Sequence, residues 1–273
     1  MPSAQPSSTL ANLPRVVFGS SALGNLYEAP SRERKLAITR AWIDEGGSRV
    51  AIDSAGKYGA GLALEMIGEN LRTLAIDPAR VTLSNKLGWF RTPLQGNEPT
   101  FEPGAWVDVA HDAEQRISRQ GILDCWEQGV ELLGPPYVPQ LVSVHDPDEF
   151  LNAAANADDR AKRYEELLDA YKSLRELKAG GVVQGVGVGS KDWRVAQAIC
   201  NDVELDWVMI ANCFTLYSHS VELLAWLREL GKRGVAVVNS GVFNAGFLVG
   251  GKFFNYREAT PDADPELFQW RRA

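Results

Sequence analysis

The chain has 273 residues, 45% of them hydrophobic and 23% charged, with a formal charge of −7 at pH 7. This composition excludes disorder as the main state. A pI near 5.1 argues against a general nucleic-acid binder, and no apolar run approaches the roughly 18 residues of a membrane helix.

Taken in chain order, Met1–Asn12 is rich in Ser, Pro and Ala. It lacks a basic start and an apolar core, so it reads as a flexible lead-in and not as a signal peptide. Short β-rich runs follow at Arg15–Phe18, Arg49–Ile52, Arg80–Ser84, Leu141–Val144, Val182–Val188, Trp207–Ile210 and Val235–Val238. Several are apolar throughout, the pattern of strands buried on both faces. Amphipathic stretches separate the later runs. Tyr164, Leu167, Leu168, Tyr171, Leu174 and Lys178 share one helical face, as do Trp193, Ala196, Ile199 and Cys200 behind an Asp192 cap. Leu223, Leu224, Leu227 and Leu230 form a third stripe. Two longer stretches, Gly88–Asp112 and Gly251–Glu266, read as irregular, and loops of that length are usually functional or disordered.

Strand–helix alternation implies a parallel sheet with crossover helices. No Pro/Gly/Ser linker divides the chain, so residues 1–273 read as one domain. A doubly wound open sheet and an eight-stranded βα barrel are both compatible with the pattern. The barrel normally takes about 250 residues, yet the run of strands here stops after the seventh.

Cys125, Cys200 and Cys213 are odd in number and form no C-x-x-C. That points away from a disulfide framework or a zinc ribbon and toward a reducing, cytoplasmic compartment. Gly185-Val-Gly187-Val-Gly189-Ser190 approaches a dinucleotide fingerprint, but Ser190 stands at the third glycine and the segment lies late in the chain. It reads as a crowded strand end. Gly246 to Lys252 resembles a P-loop in which Phe253 replaces the magnesium-holding hydroxyl. No Tyr-x-x-x-Lys and no G-x-S-x-G occur. His111, His145 and His219 are scattered, so no metal site is expected.

One constellation remains. Asp53 follows the second apolar run, with Tyr58 five residues on. Lys86 follows the third run and His145 the fourth. In a parallel barrel those strand ends lie side by side on the face where active sites form. Each residue alone has a plain reading: a cap, a solvated lysine, a packed aromatic, a buried histidine. Together they make a chemistry. Asp53 holds Lys86 charged, and an ammonium beside a phenol lowers its pKa from about 10. Tyr58 then exchanges a proton with a substrate oxygen that His145 orients. That is the proton half of a hydride transfer, which needs a nicotinamide.

These residues resemble the aldo-keto reductase superfamily, whose pattern Asp-x-Ala-x-x-Tyr, then Lys, then His reads here as Asp53-Ser-Ala-Gly-Lys-Tyr58, Lys86 and His145. The resemblance runs from about Arg15 to Tyr256. Gly24-Asn-Leu-Tyr27, His145-Asp-Pro-Asp148 and Phe243-Asn-Ala-Gly246 are most similar to the sugar-oxidising branch of D-threo-aldose 1-dehydrogenases, or L-fucose dehydrogenases. The resemblance implies a (β/α)8 TIM barrel, here truncated after strand seven, that binds NAD or NADP. By position it implies that Ser190 and Asn212, with Ala211 as the neighbouring alternative, meet the carboxamide. Ser240, Phe243 and Asn244 would line the pyrophosphate, with Ser20 and Asp53 near the reacting end. Trp89 would wall the substrate pocket beside Tyr58 and His145.

In the family the chain continues through an eighth strand that grips the adenosine. This sequence ends at Trp270-Arg-Arg-Ala273, which implies a fragment or a truncation completed by a partner. The implied reaction is NAD(P)-dependent oxidation of an aldose at C1 to the lactone, on a small sugar or aldehyde and with no nucleic-acid or membrane partner. The alternatives are an NADPH-dependent aldehyde or ketone reductase using the same four residues, or an inactive barrel acting as a binding subunit.

Overall fold

The computed structural model describes residues 8–273. Residues 1–7 of the expected lead-in lie outside the described residues, and Ser8–Ala11 form a short helix. The barrel strands are β1 (Val17–Gly19), β2 (Val50–Ala55), β3 (Val81–Leu87), β4 (Leu141–His145), β5 (Gly185–Ser190), β6 (Trp207–Ala211) and β7 (Ala236–Ser240). They pair in that order and every pairing is parallel. Seven strands of the expected barrel are therefore present among the described residues, and β1 and β7 form its two edges. The open sheet considered from sequence is not what forms.

Each strand continues past its expected end. The apolar runs stop at Ile52, Ser84 and Val144, but pairing carries on through Asp53 to Ala55, through Lys86 to Leu87, and to His145. Charged residues can stay in a buried sheet because they pair with one another there. The fifth strand begins at Gly185 and not at Val182, because Gly181 turns left-handed (φ 72°) and leaves Val182 48% exposed.

Helices cover the outer face. Ala157–Ala179 buries Leu167, Tyr171 and Leu174 as the stripe requires, and Asn156 caps it by accepting from the Asp159 amide. Asp192 caps Trp193–Asp202 as expected, accepting from the Arg194 amide. In Val221–Lys232 the buried stripe is Leu223, Trp226 and Leu230, while Leu224 and Leu227 are only partly covered. These faces and the strands' outer side chains form the largest apolar cluster.

Two expected irregular segments are partly ordered sheet. Trp89–Pro93 pairs antiparallel with His111–Gln115, and Phe253–Phe254 pairs with Arg257–Glu258. The first pairing joins residues about twenty positions apart, beyond what local periodicity reveals.

The barrel interior explains the glycines of β5. Trp207 is fully buried and packs with Leu10, Leu141 and Met209. A Cβ on Gly187 would lie 2.5 Å from the Trp207 ring, and one on Gly189 2.8 Å from the Lys86 side chain. The Gly-x-Gly-x-Gly run is a packing feature, as the crowded strand-end reading holds. Gly187→Ala is expected to cost about 1–3 kcal/mol through overpacking. Urea denaturation measures this, and an unchanged midpoint would show that Trp207 moves aside.

Candidate active site

Strand register assembles the site. Asp53 stands opposite Ser84, and Ala55 opposite Lys86. Side chains alternate across a strand, so Asp53, Ser84 and Lys86 reach one another inside the barrel. The Lys86 ammonium pairs directly with Asp53 and also donates to the Ser54 carbonyl (3.2 Å). Ser84 donates to the second Asp53 carboxylate oxygen (3.0 Å), and Ser20 donates to the Asp53 carbonyl (2.8 Å). Asp53 is 5% and Lys86 2% exposed, so this is a buried, hydrogen-bonded ion pair.

Tyr58 sits on the turn after β2. Lys86 Nζ lies 4.6 Å from the centre of its ring, the His145 ring meets it edge-on at 5.7 Å, and Trp106 stacks at 5.9 Å. The four sequence-selected residues thus converge. Tyr58, Lys86 and His145 line one cavity of about 60 Å³, and Asp53 supports it from below.

The electrostatics depart from the sequence expectation. Burial raises the Tyr58 pKa well above the ordinary phenol value, and the Asp53, Tyr256 and Asp146 charges raise it further against a smaller lowering by Lys191. The expected lowering by Lys86 is not the outcome, because Asp53 matches the Lys86 charge and the ammonium faces the ring. Burial lowers the His145 pKa well below its ordinary value, helped by Lys86, Lys57 and Lys191. At neutral pH, Tyr58 is a phenol and His145 a neutral imidazole. His145 Nε2 lies 3.6 Å from Asp146 Oδ2, too far for a hydrogen bond, and His145 lines the cavity.

The other sequence-selected residues divide. Ser190 and Ser240 line the cavity. The Ser190 hydroxyl bonds the Asp148 carboxylate (2.6 Å). Of the pair Asn212 and Ala211, the structure puts Ala211 on the wall. Asn212 turns left-handed (φ 62°) and does not line the cavity. Ser20 lies behind Asp53, and its neighbour Ser21 reaches the cavity instead. Phe243 is 55% exposed and Asn244 is buried, donating to Asn255 (2.9 Å). Neither lines the cavity. Trp89 does not wall it either, because its indole packs on Phe101 and beneath the Lys57 ammonium (4.7 Å). Trp106 takes the expected wall position.

Sequence reasoning missed a charged lattice on the same wall. Lys57 is 1% exposed and contacts Glu102 (2.8 Å), Asp146 (3.2 Å) and Glu149 (2.8 Å). Lys191 contacts the same three carboxylates. Those carboxylates would otherwise suit a cation, but the two ammonium groups already occupy the space between them. Lys57 stood between the selected Ala55 and Tyr58, and Asp146 directly after His145. Glu102 and Trp106 lay in the long segment whose fold is not locally encoded.

A parallel barrel whose inner strand ends carry a buried Asp–Lys pair, a tyrosine and a histidine defines an oxidoreductase scaffold. The chain belongs to the aldo/keto reductase family, whose model matches residues 15–272. This is a family of NAD(P)-dependent enzymes, and the chain is an oxidoreductase of that class. It is 28% identical over 256 residues to a pyridoxal 4-dehydrogenase from Microbacterium luteolum, covering 89% of this chain and 72% of that protein. It is 27% identical over 256 residues to a D-threo-aldose 1-dehydrogenase from Pseudomonas sp, covering 91% and 72%. An aldo-keto reductase from Bacillus halodurans, solved in its holo form, shares the fold with a TM-score of 0.63 at 20% identity, covering 98% of this chain and 76% of that one. No helix among the described residues is long and apolar enough to cross a membrane.

Proposed function

We propose that the chain oxidises an aldose at its anomeric carbon to the lactone, with NAD or NADP as acceptor and Tyr58 as the proton-transfer residue. One observation carries this reading: Tyr58 is held between the Lys86 ammonium and the His145 ring edge at the cavity. Among the described residues its hydroxyl makes no hydrogen bond, so it is available to a substrate oxygen. Similarity to the D-threo-aldose dehydrogenase over 91% of this chain supports the sugar class.

The residues present fit a nicotinamide. Across the cavity from Tyr58 the wall is made by the uncharged strand ends Ser190, Met209, Ala211 and Ser240, which suit a flat ring. Ser190 would hold the carboxamide there, with Ala211 as the neighbouring wall residue. Bound there, the nicotinamide supplies the hydride acceptor or donor. The chain's own residues do the rest. His145 Nε2 donates to the reacting oxygen and fixes its position. Tyr58 takes the anomeric hydroxyl proton as the anomeric C–H bond breaks and the lactone carbonyl forms. The buried Asp53–Lys86 pair keeps a positive charge at the Tyr58 ring without leaving it unpaired. Three unpaired cysteines, two of them buried, support a reducing, cytoplasmic setting.

The reverse reaction, reduction of an aldehyde or ketone, has an observation of its own in its favour. Tyr58 keeps its proton through neutral pH, which suits a proton donor. The pH dependence follows with opposite signs. Oxidation needs the tyrosinate, so its rate should climb with pH through the alkaline range. Reduction needs the phenol, so it should stay level and fall only when Tyr58 ionises. Rates with L-fucose, D-arabinose and L-galactose against simple aldehydes, in both directions and across pH, test both readings. Turnover of simple aldehydes with none of the sugars would leave the reductase reading standing.

A further inference from the structure

Asp146 has no part in the proton transfer, yet it lines the cavity at 3% exposure. Its backbone is left-handed (φ 48°, ψ 53°), a conformation that Asp and Asn tolerate better than most residues. Its amide donates to the Gly189 carbonyl (2.8 Å), which fixes the turn to β5. Oδ2 lies 3.2 Å from both Lys57 Nζ and Lys191 Nζ and 3.6 Å from His145 Nε2. Among the described residues no hydrogen bond reaches Oδ1. A carboxylate oxygen at the cavity wall with a free accepting position is open to a hydrogen-bond donor on a ligand.

The lysines beside it cannot take a ligand's negative charge. Lys57 has Glu102, Asp146 and Glu149 within 3.2 Å, and Lys191 has the same three within 3.3 Å. Each ammonium therefore already faces three carboxylates, and the two positive charges are outnumbered by three negative ones. Lys86 is paired with Asp53. Beside Tyr58, the cavity wall presents a substrate with the Asp146 carboxylate, the His145 imidazole and the aromatic face of Trp106. An oxygen held by His145 Nε2 lies beside Asp146, within reach of a hydroxyl on the adjacent carbon.

We propose that Asp146 determines substrate specificity: its free carboxylate oxygen accepts a hydrogen bond from the hydroxyl on the carbon next to the reacting one. The site thereby takes uncharged polyhydroxylated substrates and disfavours those with a carboxylate or phosphate at that position. This rests on the reading of His145 as the residue that holds the reacting oxygen.

Equilibrium binding tests the inference without turnover. Calorimetry on the full chain compares L-fucose with 2-deoxy-L-fucose, which lacks the neighbouring hydroxyl. The wild type should favour L-fucose by about ten- to hundredfold, the strength of a hydrogen bond to a charged group. Asp146→Gly keeps the left-handed backbone and should bind both sugars alike. Asp146→Asn, which keeps size and turn geometry, should retain part of the preference. Glu149→Gln contacts the same two lysines but does not line the cavity, so it should leave the preference intact. Equal binding of both sugars by the wild type, binding of neither, or a preference that survives Asp146→Gly each overturns the proposal. Failure of the oxidoreductase reading shows separately, as absent nicotinamide turnover.

Discussion

Tyr58→Phe should lower turnover by about 10²–10⁴-fold, the usual contribution of a positioned acid or base, and leave nicotinamide binding nearly unchanged. The substitution removes one hydroxyl and keeps the ring that packs under Lys86 and against His145 and Trp106. It therefore deletes the proton carrier without opening a cavity. Both directions should suffer, because the same oxygen takes the proton in one and gives it in the other. The alkaline climb of the oxidation rate should vanish with it. Quenching of tryptophan fluorescence by the cofactor gives the binding control, since Trp106 lines the same cavity. Activity within a few-fold of wild type would remove Tyr58 from the chemistry.

Lys86→Met should have the largest effect on stability. Asp53 and Lys86 are both almost fully buried, and Asp53 also accepts from Ser84. Removing the ammonium leaves a carboxylate with one hydroxyl partner inside a barrel. Breaking such a pair costs about 3–5 kcal/mol, a large share of the roughly 5–15 kcal/mol that holds a domain folded. Turnover should be lost as well, because the positive charge at the Tyr58 ring is gone. The double variant Asp53→Asn/Lys86→Met separates the two effects. With no charge left unpaired, it should regain much of the stability while remaining inactive. Recovery of activity in the double variant would show that the pair acts only as scaffold. Chemical denaturation and steady-state rates on the same preparations read both outcomes.

The candidate set was legible because it is local in kind: each residue follows an apolar run, and parallel strands bring such ends together. Even there the boundaries slipped, since apolarity marks where burial is easy and the strands carry on through paired charges such as Asp53 and Lys86. What stayed hidden depends on contacts between distant segments. Trp106 reaches the cavity because Trp89–Pro93 pairs with His111–Gln115 and Leu26 bridges to Trp106. Trp89, chosen for its place after Lys86, is turned to Phe101 by the same pairing. The sign of the Tyr58 shift was missed for a related reason. Sequence order suggests that a lysine is near a tyrosine, but not that the lysine's charge is already matched and the phenol buried.

Reduction of NAD(P)+ by the full chain with L-fucose, followed by reduced-nicotinamide absorbance, tests the central claim most directly. Absorbance should grow with the lactone as product, faster at alkaline pH, and at least about a hundredfold more slowly in Tyr58→Phe. A folded sample that binds the cofactor but forms no reduced nicotinamide with any aldose at any pH would contradict it.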